Sequence, residues 1–150
     1  MPTLEDATSW VKPEFFKRVS EVEIEGINDV IFSGTGLNYF RDKIKSGVFE
    51  YPGGGKVFLT NNVGGAYSAA INRSRSFADE PVILVIDSKL KARGYHLRRE
   101  GVQKDIVCEQ IPKEAIIAAY KVVNIKESDL LFMDDQVGLL RKKGEEVSLD

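Results

Sequence analysis

Hydrophobic and polar positions along the first half of the chain change period several times, and each change predicts an element. The segment DVIFSGT reads as a short strand that ends in a turn over residues 33–36. Apolar residues then recur at helical spacing in LNYFRDKIKSG, with Gly47 as the C-terminal cap. A second strand is predicted over 56–60, and a second helix follows over 61–77, with Asn61 or Asn62 as its cap.

The second half of the chain predicts mostly strands. PVILVID is an unbroken apolar run, which is typical of a central strand that is covered on both faces. Weaker patterns predict two further strands, a turn, a final strand and a short closing helix: GYHLRRE, KDIVCEQ, IPKEAI, IIAAYKVVNI and ESDLLFMDD. Together the two halves predict a mixed α+β chain.

The length of 150 residues predicts one domain, 1–150, with a core of its own. Within it, KPEFFKRVSEV reads as a helix with Pro13 in its first turn, and we assign 1–30 as an N-terminal helical extension. The charged end RKKGEEVSLD, residues 141–150, is predicted to be a flexible tail.

Composition and charge exclude several classes of protein. A net charge of −2 predicts no general attraction to nucleic acid or to an anionic membrane. No apolar run approaches the roughly 18 to 20 residues that cross a bilayer, and the amino terminus has no signal-peptide pattern. Cys108 is the single cysteine, so no internal disulfide forms, and a cytoplasmic location is expected. With one histidine and one cysteine, no zinc site of conventional type is expected, and we assign no metal.

Two glycine motifs do not fit the sites they suggest. GGGK, residues 53–56, lacks the spacing of a phosphate-binding P-loop and precedes a strand instead of a helix. SGTG, residues 33–36, lacks the third glycine and the acidic residue of a dinucleotide fingerprint. The basic span 73–104 is either a solvated face or a surface for phosphates.

Four segments, in order, carry a resemblance to a known family. They are a strand with a small-residue turn and a helix, an aromatic strand with a Tyr-bearing helix, an apolar strand ending at Asp, and a strand with Glu before a proline turn: IFSGTGLNYFRDKIKSGVF, KVFLTNNVGGAYSAA, PVILVID and IVCEQIPKEAII. This series resembles the ADP-ribosyltransferase fold, in its poly-ADP-ribose-polymerase-like or diphtheria-toxin-like branch and related bacterial toxin domains. The resemblance implies split, antiparallel-rich β-sheets flanked by short helices.

The resemblance also implies NAD as substrate and assigns roles to residues. The backbone of Gly34 would pair with the nicotinamide carboxamide, and Thr35 would support the turn or touch the ribose. Tyr67 would stack on the nicotinamide ring, with Phe58 on the other side. Glu109 would be the catalytic carboxylate that stabilises the developing cation. From the residues alone, the same positions read equally as a turn glycine, a strand-end threonine, core aromatics and a surface glutamate, and Glu114 is a rival carboxylate.

Ser33 departs from the family pattern. The family usually has a His at this position, which contacts the adenosine-side ribose. Serine forms hydrogen bonds but is shorter, so NAD affinity is the property that this departure affects. The lone histidine, His96, lies far along the chain in GYHLRRE.

Three functions follow from these observations. The first is an ADP-ribosyltransferase that transfers ADP-ribose from NAD to a macromolecular acceptor, which is protein, RNA or DNA. The second is a catalytically degenerate member of the fold that binds a nucleotide or a partner protein. The third is an RNA 2′-phosphotransferase, which needs arginines in the site, and for which Arg98 and Arg99 are the candidates.

Overall fold

The computed structural model describes residues 26–90, 95–131 and 133–150. Within these residues the chain is an α+β protein, with nine strands in three antiparallel sheets and three α-helices. The helices are α1 (Leu37–Ile44), α2 (Val63–Phe77) and α3 (Gln136–Lys143). The strands are β1 (Val30–Gly36), β2 (Val48–Glu50), β3 (Val57–Leu59), β4 (Pro81–Asp87), β5 (Arg98–Glu100), β6 (Asp105–Cys108), β7 (Gln110–Pro112), β8 (Ile116–Lys121) and β9 (Glu145–Val147).

The largest sheet has the strand order β1-β4-β8-β9. Strand β4 is central, as its unbroken apolar sequence predicts, and its first six residues are buried. One face of β4 packs into a core cluster that contains Leu84 and Ile86, and the other packs into a second cluster that contains Ile83 and Val85. Because both faces are covered, no polar alternation is present in the strand.

Two smaller sheets lie beside the first. Strands β2 and β7 form one, and β3, β6 and β5 form the other in that order. Strand β3 meets β1 through a single bridge between Phe32 and Thr60. Beyond this bridge β1 and β3 are no longer paired. The boundary between the two sheets therefore opens along one edge of β1.

The helices predicted in LNYFRDKIKSG and over 61–77 are confirmed. Helix α1 buries the apolar stripe Leu37, Phe40 and Ile44, and the chain leaves it through Gly47, whose φ of +86° suits glycine. Helix α2 begins after Asn62, whose side chain accepts a hydrogen bond from the backbone N–H of Gly64.

The predicted turn at residues 33–36 is wrong, because these residues are strand. All four are paired with β4, from Ser33 opposite Leu84 to Gly36 opposite Pro81. Gly34 does not end the strand, which continues to Gly36, because long-range pairing to a strong central partner overrides the low strand propensity of glycine.

The predictions for the carboxyl-terminal segment are also wrong. The described residues of ESDLLFMDD form a 3₁₀ turn at Glu127–Leu130 and no α-helix, and the closing helix is α3. Residues 141–150, predicted to be a flexible tail, complete α3 and form β9, which pairs with β8. Leu140 and Val147 are buried, so this segment belongs to the core.

The structure covers only part of the predictions for the amino-terminal segment. The helix predicted over 12–22 lies outside the described residues. Of the extension assigned to 1–30, the described part, 26–30, contains no helix and leads into β1.

Candidate functional site

The two edges of β1 differ, and the difference creates a candidate site. Along one edge all seven residues are opposite β4. Along the other, the N–H of Phe32 donates to the C=O of Thr60 at 2.8 Å, and the N–H of Thr60 donates back at 2.9 Å. Alternate residues of a strand direct their N–H and C=O groups to the same edge. The N–H and C=O of Gly34 therefore point to the edge that β3 has left.

A small cleft of about 120 Å³ lies at this open edge. The Ser33 hydroxyl, which is buried, donates to the C=O of Phe58 at 2.9 Å and so ties the floor of the cleft to β3. The Phe58 side chain is 59% exposed at the rim. The other residues that line the cleft come from β1, from β3 and the residue after it, and from the small-residue face of α2: Phe32, Gly34, Leu59, Thr60, Gly65, Ala66 and Ala69.

Glycine at position 34 is required by close packing. A Cβ on Gly34 would lie 2.1 Å from the carbonyl oxygen of Ala66 and 2.5 Å from the backbone nitrogen of Ala70. Helix α2 therefore lies directly on the backbone of β1. The prediction of Gly34 as a turn glycine is wrong, and its close approach to another backbone is the physical reason for the residue.

A larger cavity of about 610 Å³ lies farther along the same strand, at Gly36. Its walls include the aromatic rings of Tyr39 and Tyr51, which stack with centroids 5.3 Å apart and ring planes 28° apart. The Tyr51 hydroxyl donates to the Thr35 hydroxyl at 3.5 Å, and burial raises the pKa of Tyr51. Thr35 is itself fully buried, so it supports Tyr51 from below.

The same cavity contains one cation and two carboxylates. The Arg73 guanidinium lies 3.8 Å from the centroid of the Tyr51 ring. Asp79 accepts from the backbone N–H groups of Asn38 and Tyr39, at 3.0 and 3.2 Å, and thereby caps α1. Asp42 is the second carboxylate of the lining. The N–H groups at the amino-terminal, positive end of the α1 dipole are thus already bonded to a carboxylate of the protein.

Tyr67 does not line the small cleft. Its hydroxyl donates to the C=O of Ile125 at 2.9 Å, and its ring packs against the second core cluster. On a helix of 3.6 residues per turn, position 67 lies on the opposite side of Ala66 from Ala69, which does line the cleft. The structure therefore does not bring together Tyr67 and Gly34 as the resemblance implies.

Glu109 lies in an ion-pair network at the junction of β6 and β7. Both of its carboxylate oxygens accept from Arg98, one of them at 2.8 Å. The Nε of Arg98 donates to Glu100 at 2.9 Å, and Glu100 in turn pairs with Lys56. The hydrogen bonds from Arg98 hold the pKa of Glu109 below its usual range.

The network shares a sheet face with the small cleft. Arg98 is opposite Val107, and Val107 is opposite Phe58 on the third strand. Directly opposed residues of a sheet project from the same face. Arg98 and the Glu109 carboxylate that it holds therefore lie on the face that carries Phe58.

Sequence reasoning missed Tyr39, Tyr51 and Arg73. One signal was available, since Arg73 follows Ala66 and Ala69 at helical spacing and so shares their side of α2. The partners of these three residues come from other elements, and no local pattern specifies them.

His96 is exposed, just before β5.

The described parts of the chain contain neither a metal-binding cluster nor a membrane-spanning helix. No group of three or more His, Cys, Asp or Glu side chains there is arranged to hold a metal ion. None of the helices in those parts is long and apolar enough to cross a membrane.

No protein-family model matches the chain, and comparisons with curated proteins and with solved structures find no similar protein.

Proposed function

We propose that this protein is an NAD-dependent ADP-ribosyltransferase with an ADP-ribosyltransferase-like fold, and that nicotinamide binds at the open edge of β1. The observation that carries the proposal is the edge of β1 at Gly34, which no described residue of β3 pairs with. Its N–H and C=O form one donor and one acceptor side by side in a cleft, which matches the acceptor and donor of a planar carboxamide. Phe58 at the rim supplies an exposed ring beside that position.

The larger cavity at Gly36 suits the other end of the dinucleotide. Its volume of about 610 Å³ is in the range of small-molecule sites, and stacked tyrosines form an apolar wall for a base. Gly34 and Gly36 are two strand residues apart, or roughly 7 Å. One extended ligand therefore reaches both cavities along a single backbone edge.

Glu109 is the carboxylate proposed for the chemical step. In that step the bond between nicotinamide and the ribose C1′ breaks, and its electron pair leaves with nicotinamide. A nucleophile of the macromolecular acceptor, either protein or nucleic acid, then bonds to C1′ and loses its proton. An ionised carboxylate near C1′ stabilises the positive charge that develops on the ribose. Arg98 lowers the pKa of Glu109, and the group is ionised at neutral pH, as an unperturbed glutamate also is.

One observation favours the second candidate, a binding module without catalysis. Both oxygens of Glu109 already accept hydrogen bonds from Arg98, and the Tyr67 hydroxyl is engaged by Ile125. A carboxylate held in this way contributes less charge to a neighbouring cation than an unpaired one does. The RNA 2′-phosphotransferase has weaker support, because the guanidinium of Arg99 is bonded to backbone carbonyls of Gly26 and Lys104.

The test combines NAD binding by calorimetry with an assay of nicotinamide release. The wild type is compared with Glu109→Gln and with Glu114→Gln, an exposed carboxylate in the neighbouring turn that serves as the matched control. We expect NAD to bind all three proteins, and release to fall at least a hundredfold only in Glu109→Gln. Binding without release in the wild type, with and without a protein or nucleic-acid lysate as acceptor, supports the binding module. Absence of NAD binding to the wild type at millimolar concentration contradicts the transferase and a module that binds NAD, and leaves only a module that binds another nucleotide or a partner protein.

A further inference from the structure

Arg73 has an unusual combination of surroundings. It lines the cavity of about 610 Å³. Its guanidinium lies 3.8 Å from the centroid of the Tyr51 ring and 6.0 Å from the centroid of the Phe77 ring. Among the residues that the structure describes, it forms no ion pair with a carboxylate. A guanidinium that is oriented by an aromatic ring and has unused N–H donors is well suited to bind a planar or tetrahedral anion.

The position of Arg73 along α2 is the second observation. Ala66 and Ala69 line the small cleft, and Arg73 is one helical turn beyond Ala69 on the same side. That turn advances the helix by roughly 6 Å, which matches the spacing between Gly34 and Gly36 on β1. Arg73 therefore lies beside the stretch of open edge that joins the small cleft to the larger cavity.

We propose that Arg73 is the residue that binds the diphosphate of the nucleotide, between the nicotinamide cleft and the base cavity. This inference rests on the proposed function and adds the residue that recognises the charged part of the substrate. Arg binds phosphate with two parallel N–H···O hydrogen bonds, which are among the stronger hydrogen bonds in proteins. Tyr51 holds the guanidinium in place, and Thr35 holds the Tyr51 hydroxyl from the strand side.

The proposal also bears on the serine at position 33. The Ser33 hydroxyl is buried and committed to the C=O of Phe58, so it is not available for the ribose contact that the family His makes. Arg73, by binding the diphosphate, supplies affinity from helix α2, which packs on β1, instead of from the strand that carries Ser33. Affinity for the substrate then depends on charge and falls with increasing salt.

The experiment uses three ligands and four proteins. Binding of NAD and of ADP-ribose is measured by calorimetry, and binding of nicotinamide is measured by ligand-observed NMR. The proteins are the wild type, Arg73→Gln, Arg73→Lys and Arg75→Gln. Arg75 is an exposed arginine on the same helix and is the matched control for net charge. Thermal unfolding of each variant shows whether the fold is intact.

We expect Arg73→Gln to weaken NAD and ADP-ribose by about ten- to a hundredfold, the value of a charged hydrogen bond, and to leave nicotinamide unchanged. Arg73→Lys keeps the positive charge but lacks the two parallel N–H donors of the guanidinium, so NAD and ADP-ribose should bind more tightly to it than to Arg73→Gln and less tightly than to the wild type. Arg75→Gln should change all three ligands by less than about threefold.

Three results would overturn the inference while leaving the proposed function intact: unchanged NAD binding in Arg73→Gln, an equal loss for nicotinamide, or an equal loss in Arg75→Gln. Failure of the wild type to bind any of the three ligands would overturn the proposed function and the inference together.

Discussion

The two halves of β1 have the same neighbours on one side and different neighbours on the other. The first half, around Phe32, is hydrogen-bonded on both edges, to β4 and to Thr60. The second half, from Gly34 to Gly36, keeps β4 but has lost β3. A strand that is paired on both edges only holds the fold together, whereas one with a free edge inside a cleft also offers a ligand its backbone groups.

The glycines in the second half of β1 leave room for neighbouring elements to pack closely against the strand. A Cβ on Gly36 would lie 2.3 Å from Oδ2 of Asp79, and one on Gly34 would strike the backbone of α2. The absence of side chains lets α2 and the Asp79 cap approach the strand closely.

The largest expected effect on this arrangement comes from Gly34→Ala. The added methyl meets the backbone oxygen of Ala66 and the nitrogen of Ala70, which move only if α2 moves. We expect a loss of about 1 to 3 kcal/mol in the free energy of unfolding, measured by urea denaturation. Gly65→Ala is the control, because its nearest neighbours are side-chain atoms of Thr60 at 3.3 Å or more, and alanine favours helix. Equal losses in the two variants would mean that α2 does not constrain Gly34.

A smaller effect is expected from Ser33→Ala, at the boundary between the two halves. The variant removes the hydrogen bond to the C=O of Phe58 in a buried environment. We expect a loss of about 1 kcal/mol in unfolding free energy and faster amide hydrogen exchange in β3. Unchanged exchange at Phe58 and Leu59 would show that the Phe32–Thr60 bridge alone holds the two sheets together.

The smallest effect on stability is expected from Arg98→Gln, on the sheet face that carries Phe58. Because Arg98 lowers the pKa of Glu109, its removal should raise that pKa toward the usual value of about 4, as measured by NMR titration of the carboxyl carbon. The folded-state pKa is depressed, so the stabilising contribution is present above the unfolded pKa and is lost as the pH falls through the folded one. For this exposed pair the contribution is below about 1 kcal/mol. A Glu109 pKa that stays low in the variant would contradict the assigned cause.

The carboxyl-terminal segment explains why part of the fold was mispredicted. Strand β9 has three residues, of which Glu145 and Glu146 are exposed and Val147 is buried. Such a segment has too few apolar positions to differ locally from a solvated tail. It becomes a strand because β8 offers a free edge, and because α3 buries Leu140 beside it.

The sequence by itself determined the elements whose apolar pattern is strong. These are β1, β3, β4, α1 and α2: the pattern marks the buried side of each helix, and the unbroken apolar run of β4 marks a strand that is covered on both faces. The family resemblance also singled out Ser33, Gly34 and Phe58, which the structure brings together in one cleft. Neighbouring residues in the chain were sufficient to predict the elements, because those signals are local.

Only the tertiary structure decided what each face packs against. It directed Tyr67 toward Ile125, paired Glu109 with Arg98, and set Arg73 over Tyr51 in the wall of the larger cavity. Each of these contacts joins residues at least eleven positions apart in the chain. Periodicity reports that a side is buried or exposed, but the identity of a distant partner depends on how the elements pack, and no local pattern contains that information.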